Sequence, residues 1–191
     1  MTFNYKKMLL TAGIVSGLGI PIYHTSNREN GLEATLRNSP ALTARTYDNF
    51  ENDSDEVLLA RLIYGEARGE SIWIKRAIAD SVINRTGKNK WWGNTLREVI
   101  LKENQYSCFN KNDPNRIKLL NPTKYDKLRV WEVCLIVAME TLPMDNNDDS
   151  NGATHYYDTS IKEPEWARNK KPVKVIKTKN GRKIKFYCLD N

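Results

Sequence analysis

Apolar residues recur every three or four positions in four segments of the chain, the spacing at which one face of an α-helix is buried. Two segments open with a capping pattern, Asp53 with Glu56 and Thr95 with Glu98, in which side chains bind the first free amides of the helix. Prolines stand at the start of the last segment and just after its end. The sequence therefore predicts helices over residues 53–68, 72–85, 95–103 and 121–142.

The end of the chain has a different pattern. Residues 173–179 and 182–188 alternate between apolar and polar positions on either side of Asn180-Gly181. Asn-Gly between two alternating runs is the strongest short-range signal for a β-hairpin. We therefore expect an α+β fold that is mainly α, with a small C-terminal β-hairpin.

The first 27 residues are typical of a targeting segment. Lys6 and Lys7 precede an uncharged run over residues 8–23, and the next charge is Arg28. Such a run is a signal-peptide core or a short membrane span, and the preceding lysines favour export of the C-terminal remainder of the chain. Because no small-x-small cleavage site comes after the run, we expect an uncleaved inner-membrane anchor.

This pattern divides the chain into three domains. Residues 1–27 form the anchor or signal segment, residues 28–52 form a polar, aperiodic linker, and residues 53–191 form the folded domain. The expected location is inner-membrane anchored or exported, with the domain on the periplasmic or extracytoplasmic side.

The positive charge of the chain is concentrated at its C-terminal end. The net charge is +7; residues 161–191 hold ten Lys and Arg against three Asp and Glu, and the rest holds 20 of each sign. A basic surface suits an anionic polymer, and the absence of a zinc-finger or RNA-binding signature argues against nucleic acid. Three cysteines, an odd number, argue against a full disulfide framework.

One carboxylate stands out at the end of the first predicted helix. Glu66 has Gly65 before it and Gly69 soon after, and glycine permits close approach of a ligand or an abrupt helix end. A carboxylic acid half-buried there has its pKa raised, as a general acid requires near neutral pH. The residues alone favour the ordinary alternative, a solvated helix end that carries Glu66 and Glu70 with Arg68 between them.

Several blocks between residues 57 and 187 occur in an order that is typical of one family. They read LLARLIYGEARGES, AIADSVINR, TLREVILKENQYSCF, NGATHYY, PEWA and FY. The chain resembles the cell-wall hydrolase family of spore-cortex-lytic enzymes. The resemblance implies a compact fold related to lysozyme-like lytic transglycosylases, and cleavage of peptidoglycan between N-acetylmuramic acid and N-acetylglucosamine. It implies Glu66 as the catalytic acid, with Glu70 as the competing assignment.

The family route needs one carboxyl group and neither metal nor cofactor. Glu66 would protonate the glycosidic oxygen and then deprotonate the C6 hydroxyl of muramic acid, which gives a 1,6-anhydro end; attack by water would instead make the enzyme a muramidase. We expect substrate-binding roles for seven polar or aromatic residues: Glu70, Gln105, Tyr106, Ser107, Thr154, His155 and Tyr157.

Further expectations and alternatives complete the sequence-based hypothesis. The weakly apolar N-terminal segment also resembles the signal-arrest-release segments of phage endolysins, and the protein is expected to be a monomer bound to peptidoglycan. The main alternative is a catalytically inactive, membrane-anchored wall-binding protein. Cys108 and His155 allow a cysteine peptidase. Residues 147–158 loosely match a calcium-loop pattern and are interpreted as an acidic surface loop.

Overall fold

The computed structural model describes residues 50–143 and 147–189. The predicted anchor and nearly all of the linker lie outside the described residues. Every described residue belongs to one compact unit, Leu36–Asn191. Across the described parts of the chain, none of the helices combines the length and the apolar character needed to cross a bilayer.

The described residues form six α-helices and then three β-strands, which confirms the predicted mainly α, α+β class. The helices are α1 Asp55–Ala67, α2 Ile72–Ile83, α3 Leu96–Leu101, α4 Arg116–Leu120, α5 Pro122–Tyr125 and α6 Leu128–Thr141. The strands are β1 His155–Asp158, β2 Lys174–Lys177 and β3 Lys183–Tyr187. Short 3-10 turns cover Phe50–Asn52, Ser107–Phe109 and Glu165–Ala167.

Helix α1 runs through the centre of the core and packs against α2 and α6. Nine of its 13 residues are buried, so it is apolar on most sides rather than along one stripe. On α6 the predicted stripe is buried at Trp131, Leu135 and Ala138, whereas Leu128 is 49% exposed in the first turn. The last turns of α1 are therefore held on several sides, which fixes the position of Glu66.

Two helix starts show why capping patterns need tertiary context. The capping box at Thr95 and Glu98 is present as predicted. The predicted Asp53 cap is wrong: Ser54 caps α1 by accepting from the amide of Val57. The Asp53 carboxylate lies 2.7 Å from the guanidinium of the buried Arg61. Burying a guanidinium without a counter-ion costs free energy, so pairing with Arg61 outweighs the preference of Asp53 for the helix cap.

The predicted fourth helix is divided into two. Asp126 has an extended backbone (φ −131°, ψ 166°), so the helix is interrupted between α5 and α6. The carboxylate of Asp126 accepts a hydrogen bond from the hydroxyl of Tyr64, which lies buried in α1. The break thus satisfies a core hydroxyl that the helical periodicity does not reveal. Helix α4 was not predicted.

The strands form one antiparallel sheet in the order β1-β3-β2. The predicted hairpin of β2 and β3 is confirmed, and Gly181 has the positive φ of 80° that its turn requires. Strand β1 was not predicted as a strand, and it pairs His155 with Tyr187 and Tyr156 with Phe186. Because side chains alternate across a strand, Tyr156 faces the main core while Tyr157 joins an outer cluster with Tyr187.

Asp80 in α2 makes the stability of the domain pH-dependent. Burial, with Asp148 and Asp149 nearby, raises the pKa of Asp80 to about 7, although its carboxylate accepts from the Asp149 amide at 2.7 Å. The folded state therefore keeps a proton that the unfolded chain loses near pH 4, so stability falls as pH rises from about 4 to 7.

We expect Asp80→Asn to increase the stability of the full chain at pH 8 and to leave it unchanged at pH 4. The asparagine oxygen keeps the bond to Asp149 and carries no charge, so the gain at pH 8 is ~1–2 kcal/mol. Thermal unfolding at both pH values measures it, with the exposed Glu103→Gln as control. Equal shifts of Asp80→Asn at pH 4 and pH 8 would contradict this interpretation.

Candidate active site

Glu66 lies in the last turn of α1, where its side chain is only partly exposed. The hydroxyl of Tyr156 on β1 donates to Oε2 of Glu66 at 3.0 Å. The thiol of Cys108 donates to Oε1 at 3.5 Å. One helix, one strand and one 3-10 turn therefore meet at this carboxyl group and fix both of its oxygens.

The surroundings of Glu66 favour its protonated form. Burial raises the pKa of Glu66 above the ordinary glutamate value, and the negative charge of Asp113 raises it further. The hydrogen bonds from Tyr156 and Cys108 act in the opposite direction, because they stabilise the carboxylate. The balance is a raised pKa with two donors ready to hold the anion, which suits a group that releases and recovers a proton.

A buried lysine holds the end of α1 beneath Glu66. Lys75 is 3% exposed, and its ammonium donates to the backbone oxygens of Ala67 at 2.6 Å, Arg68 at 3.2 Å and Glu70 at 2.6 Å. The last carbonyls of a helix lack partners within it, and a cation there satisfies them. Burial lowers the pKa of Lys75. The three bonds fix the backbone that carries Glu66.

Gly65 is required by the close packing of Cys108 and Leu119 against α1. A Cβ at this position would lie 2.6 Å from Sγ of Cys108 and 3.2 Å from Cδ1 of Leu119. The missing side chain thus lets Cys108 approach α1 closely enough to reach Glu66. Nothing lies within 4 Å of the Cβ position of Gly69, so that glycine has no comparable role.

The predicted binding residues 105–107 are divided between the core and the surface. Tyr106 is buried, its ring lies under the guanidinium of Arg85, and its hydroxyl accepts from Nη1 of Arg85 at 3.3 Å. Burial raises the pKa of Tyr106 to about 12, and the charge of Glu66 contributes. Ser107 is exposed. The buried Oε1 of Gln105 has no hydrogen-bond partner among the described residues.

The predicted binding residues Thr154 and His155 make their observed contacts away from Glu66. Thr154 is fully buried, and its hydroxyl pairs with Nδ1 of His155 at 3.0 Å and the amide of Leu189 at 3.0 Å. The centroid of the His155 ring lies 5.7 Å from that of Trp92 and 5.3 Å from that of Trp166. These contacts make Thr154 a structural link between β1 and the C-terminal segment.

The last two predicted binding residues point to partners other than Glu66. The hydroxyl of Tyr157 donates to Glu163 at 3.3 Å on the outer side of the sheet. The carboxylate of Glu70 accepts from the backbone amide of Lys179 at 3.3 Å, which ties the turn of the hairpin to the end of α1. Substrate contacts by both residues stay predictions.

The buried thiol of Cys108 is not set up as a nucleophile. Burial and the neighbouring Glu66 raise the pKa of Cys108 far above its usual range, so the thiol stays protonated. Nucleophilic cysteines need the opposite shift, which a nearby cation provides. The arrangement therefore favours acid chemistry at Glu66 over thiol chemistry at Cys108.

The comparison with protein families decides the class of the molecule. The model of the Cell Wall Hydrolase family matches residues 69–182, more than half of the chain. The chain belongs to the cell wall hydrolase family. It is therefore an enzyme that acts on peptidoglycan. No curated protein and no solved structure matches the chain.

The matched range of this cell wall hydrolase contains both donors to Glu66 but not Glu66 itself, which lies just before residue 69. The case for Glu66 therefore rests on its contacts and burial. Within residues 50–143 and 147–189, no three His, Cys, Asp or Glu side chains converge as metal ligands would.

Tyr156 and Cys108 both contact Glu66, and sequence reasoning assigned this role to neither. Among residues 154–157, the predicted binding residues include Tyr157 and omit Tyr156, although it is Tyr156 whose hydroxyl reaches Glu66. Period-two alternation through His155–Asp158 would have placed the two tyrosines on opposite faces. For the contact of Cys108 no sequence signal exists, because its proximity to Glu66 depends on the packing of Gly65.

Tyr156→Phe is expected to shift the pH dependence of this cell wall hydrolase. The change removes the bond that favours the Glu66 carboxylate, so the pKa of Glu66 rises further. We expect the alkaline limb of kcat/KM to move to higher pH. We also expect kcat/KM to fall about tenfold near neutral pH, because the hydroxyl no longer stabilises the carboxylate that forms when the proton is transferred. Wall-clearing rates between pH 5 and 9 measure both effects.

Tyr157→Phe is the matched comparison, because its hydroxyl donates to Glu163 on the other face of β1. Its alkaline limb is expected to coincide with that of the native enzyme. A shift of equal size in both variants, or a shift to lower pH in Tyr156→Phe, would be inconsistent with the bond between Tyr156 and Glu66 setting the limb.

Proposed function

We propose that this enzyme cleaves the glycan strand of peptidoglycan between N-acetylmuramic acid and N-acetylglucosamine, with Glu66 as the catalytic acid. The observation that carries the proposal is the state of Glu66. It is a carboxyl group of raised pKa, held by Tyr156 and Cys108, at a helix end fixed by Lys75. A positioned acid of this kind is what cleavage of a glycosidic bond requires.

The preferred reaction is that of a lytic transglycosylase. The Glu66 proton passes to the glycosidic oxygen, and the bond from that oxygen to C1 of muramic acid breaks. The Glu66 carboxylate, stabilised by the two donors, then takes the proton of the C6 hydroxyl. The oxygen of that C6 hydroxyl bonds to C1 and closes a 1,6-anhydro ring. Glu66 is then protonated again.

This route is favoured because it needs a single carboxyl group. Most glycosidases use two carboxylates, one as the acid and one as a base or nucleophile. The two groups that touch Glu66, Tyr156 and Cys108, both keep their protons, since burial raises the pKa of each well above its usual value. Neither therefore replaces a second carboxylate, and the substrate hydroxyl supplies the nucleophile.

Hydrolysis by a muramidase is the second candidate, and Asp113 is the observation that favours it. Its charge raises the pKa of Glu66, so it is a second carboxylate within electrostatic range. Its Oδ1 accepts from the backbone amide of Asn115 at 2.7 Å, which fixes the side chain. An aspartate in this position would activate water in place of the C6 hydroxyl.

Mass spectrometry of the soluble products of purified peptidoglycan separates these reactions. The full chain is compared with Glu66→Gln and Asp113→Asn. Anhydro-muropeptides released by the native chain and by Asp113→Asn, but not by Glu66→Gln, support the transglycosylase. Reducing muramic ends that disappear in Asp113→Asn support the muramidase. Stem-peptide cleavage with intact glycan strands would refute both.

Membership of the cell wall hydrolase family disfavours the inactive wall-binding protein that the sequence also allowed. That alternative predicts that the native chain sediments with peptidoglycan, releases no soluble product, and binds equally well as Glu66→Gln. Release of any product that depends on Glu66 would exclude it, so the same digestion separates the enzyme from this alternative.

The proposal includes an extracytoplasmic site of action. Residues 1–27 anchor or export the chain, and the weakly apolar character of residues 8–23 favours an endolysin whose segment leaves the membrane after depolarisation. Such an enzyme would act in host lysis, with a monomer as the acting species. Fractionation of cells before and after treatment with an uncoupler tests release; a chain that stays in the membrane fraction would contradict it.

A further inference from the structure

A groove separate from Glu66 runs along the start of α3 and the loop that precedes it. It is open, has a volume of about 1020 Å³, and is lined by Glu51 and by residues from the segments 89–94 and 95–104. Three acidic and three basic side chains line it, so it carries no net charge. This balance favours a ligand of polar, largely neutral units over an anionic lipid or nucleic acid.

Trp91 forms an exposed aromatic wall of this groove. It is 63% exposed, whereas the adjacent Trp92 is 1% exposed. Single exposed apolar residues are ordinary on protein surfaces. Trp91 differs because it lies in a groove whose other walls offer amide, hydroxyl and charged groups. An aromatic face beside hydrogen-bonding groups is the combination that contacts the apolar face and the hydroxyls of a sugar ring.

The backbone that presents Trp91 is rigidly held. Trp92 donates its indole N–H to the carbonyl of Arg85 at 3.0 Å, and Trp91 packs against Trp92 edge to face at 5.6 Å. The Gly93 amide donates to the Lys90 carbonyl at 3.0 Å, which closes a turn around Trp91. A preformed surface loses little conformational entropy when a ligand binds.

One packed layer of side chains joins the groove to the candidate active site. The guanidinium of Arg85 lies 5.5 Å from the Trp92 ring and 5.7 Å from the Tyr106 ring. Tyr106 in turn lies within the electrostatic range of Glu66. Through Trp92, which packs against Trp91, these contacts connect the aromatic wall of the groove with the residues around Glu66.

We infer that Trp91 and its groove form a second binding site for the glycan of peptidoglycan, on which a sugar ring of the strand stacks outside the reacting bond. The inference rests on the proposed function, because it assigns the same polymer to a new surface. Its role is to hold long strands while Glu66 acts, so it affects polymer binding and leaves the chemical step unchanged.

The test measures binding of the full chain to purified peptidoglycan in the Glu66→Gln background, where no cleavage interferes. Trp91→Ala is expected to raise Kd about tenfold, the effect of truncating an interfacial tryptophan. Trp91→Tyr keeps an aromatic surface and is expected to recover most of the affinity. Trp73→Ala is the matched control: Trp73 is 47% exposed and carries Arg76 over its ring on α2.

Turnover provides the second measurement. Trp91→Ala in the active enzyme is expected to raise KM on intact peptidoglycan about tenfold with kcat unchanged, the pattern for loss of uniform binding. The inference would be overturned if Trp91→Ala bound peptidoglycan with native affinity, or if Trp91→Ala and Trp73→Ala lost affinity equally. A fall in kcat alone would overturn it as well.

The failure of this inference is distinguishable from that of the proposed function. If the native chain releases glycan products while Trp91→Ala binds normally, only the second site is refuted. If no glycan is cleaved while Trp91→Ala still weakens binding, the second site stands and the proposed chemistry fails.

Discussion

Glu66→Gln is expected to lower the rate of peptidoglycan cleavage about a thousandfold or more, a loss of the size that a positioned general acid contributes to the rate. Glutamine has nearly the same shape and keeps an oxygen to accept from Tyr156, but it has no proton to donate. Wall-clearing assays and product analysis at pH 6–7 measure the loss. Glu56→Gln, an exposed carboxylate in the first turn of the same helix, is the control and is expected to retain native activity.

The same variant should be more stable than the native enzyme at alkaline pH. The folded state holds the Glu66 proton to a higher pH than the unfolded chain does, so stability is lost as pH rises above the ordinary glutamate pKa. Glu66→Gln removes this loss. Its melting temperature is therefore expected to exceed that of the native chain at pH 8 and to match it at pH 4.

Two results would overturn the assignment of the acid. Retention of activity in Glu66→Gln with loss in Glu70→Gln would move the acid to Glu70. Loss of activity in Glu66→Gln together with a lower melting temperature at every pH would make Glu66 a structural residue. Circular dichroism of both variants, recorded beside the activity assay, distinguishes these outcomes.

Lys75→Met is expected to cause the second large effect, a loss of ~2–4 kcal/mol in the free energy of unfolding. Methionine fills the space of the lysine stem but leaves the carbonyls of Ala67, Arg68 and Glu70 without the buried donor. Urea denaturation measures the loss. Since the end of α1 loosens with it, kcat is also expected to fall about tenfold in the part of the population that remains folded.

The matched control is Lys111→Met, which removes an exposed lysine from the loop between α3 and α4. It is expected to change the urea midpoint very little, because exposed charges contribute little to stability. An unchanged midpoint in Lys75→Met would show that solvent satisfies the end of α1. The position of Glu66 would then not depend on this lysine.

Glu66 thus owes its state to contacts with several separate parts of the chain. Lys75 fixes the backbone, Gly65 admits Cys108, and Tyr156 arrives from a strand ninety residues away. A change at any of them is expected to act on activity through the pKa or the position of one carboxyl group. Because they act through Glu66, these neighbours are positioning residues, in contrast to residues that touch the substrate.

The sequence by itself determined the class of the fold and most of its local structure. Periodic apolar positions predicted α1, α2 and α3, and the capping box at Thr95 formed because both of its partners lie within one turn. Asn180-Gly181 predicted the hairpin because the left-handed backbone of its turn is a local requirement. The ordered blocks indicated the family, and with it Glu66 as the candidate acid.

The tertiary structure alone decided which polar groups became buried and which partners they received. Lys75 directly follows Ile74 of the apolar stripe, and lysine is a residue type that usually lies on the surface. It is nevertheless only 3% exposed, because the free carbonyls of α1 need a donor. Adjacent aromatic residues also diverged, Trp91 to solvent and Trp92 to the core. The raised pKa of Glu66 belongs to this level as well, because burial and long-range contacts are properties of the assembled core and not of a local segment.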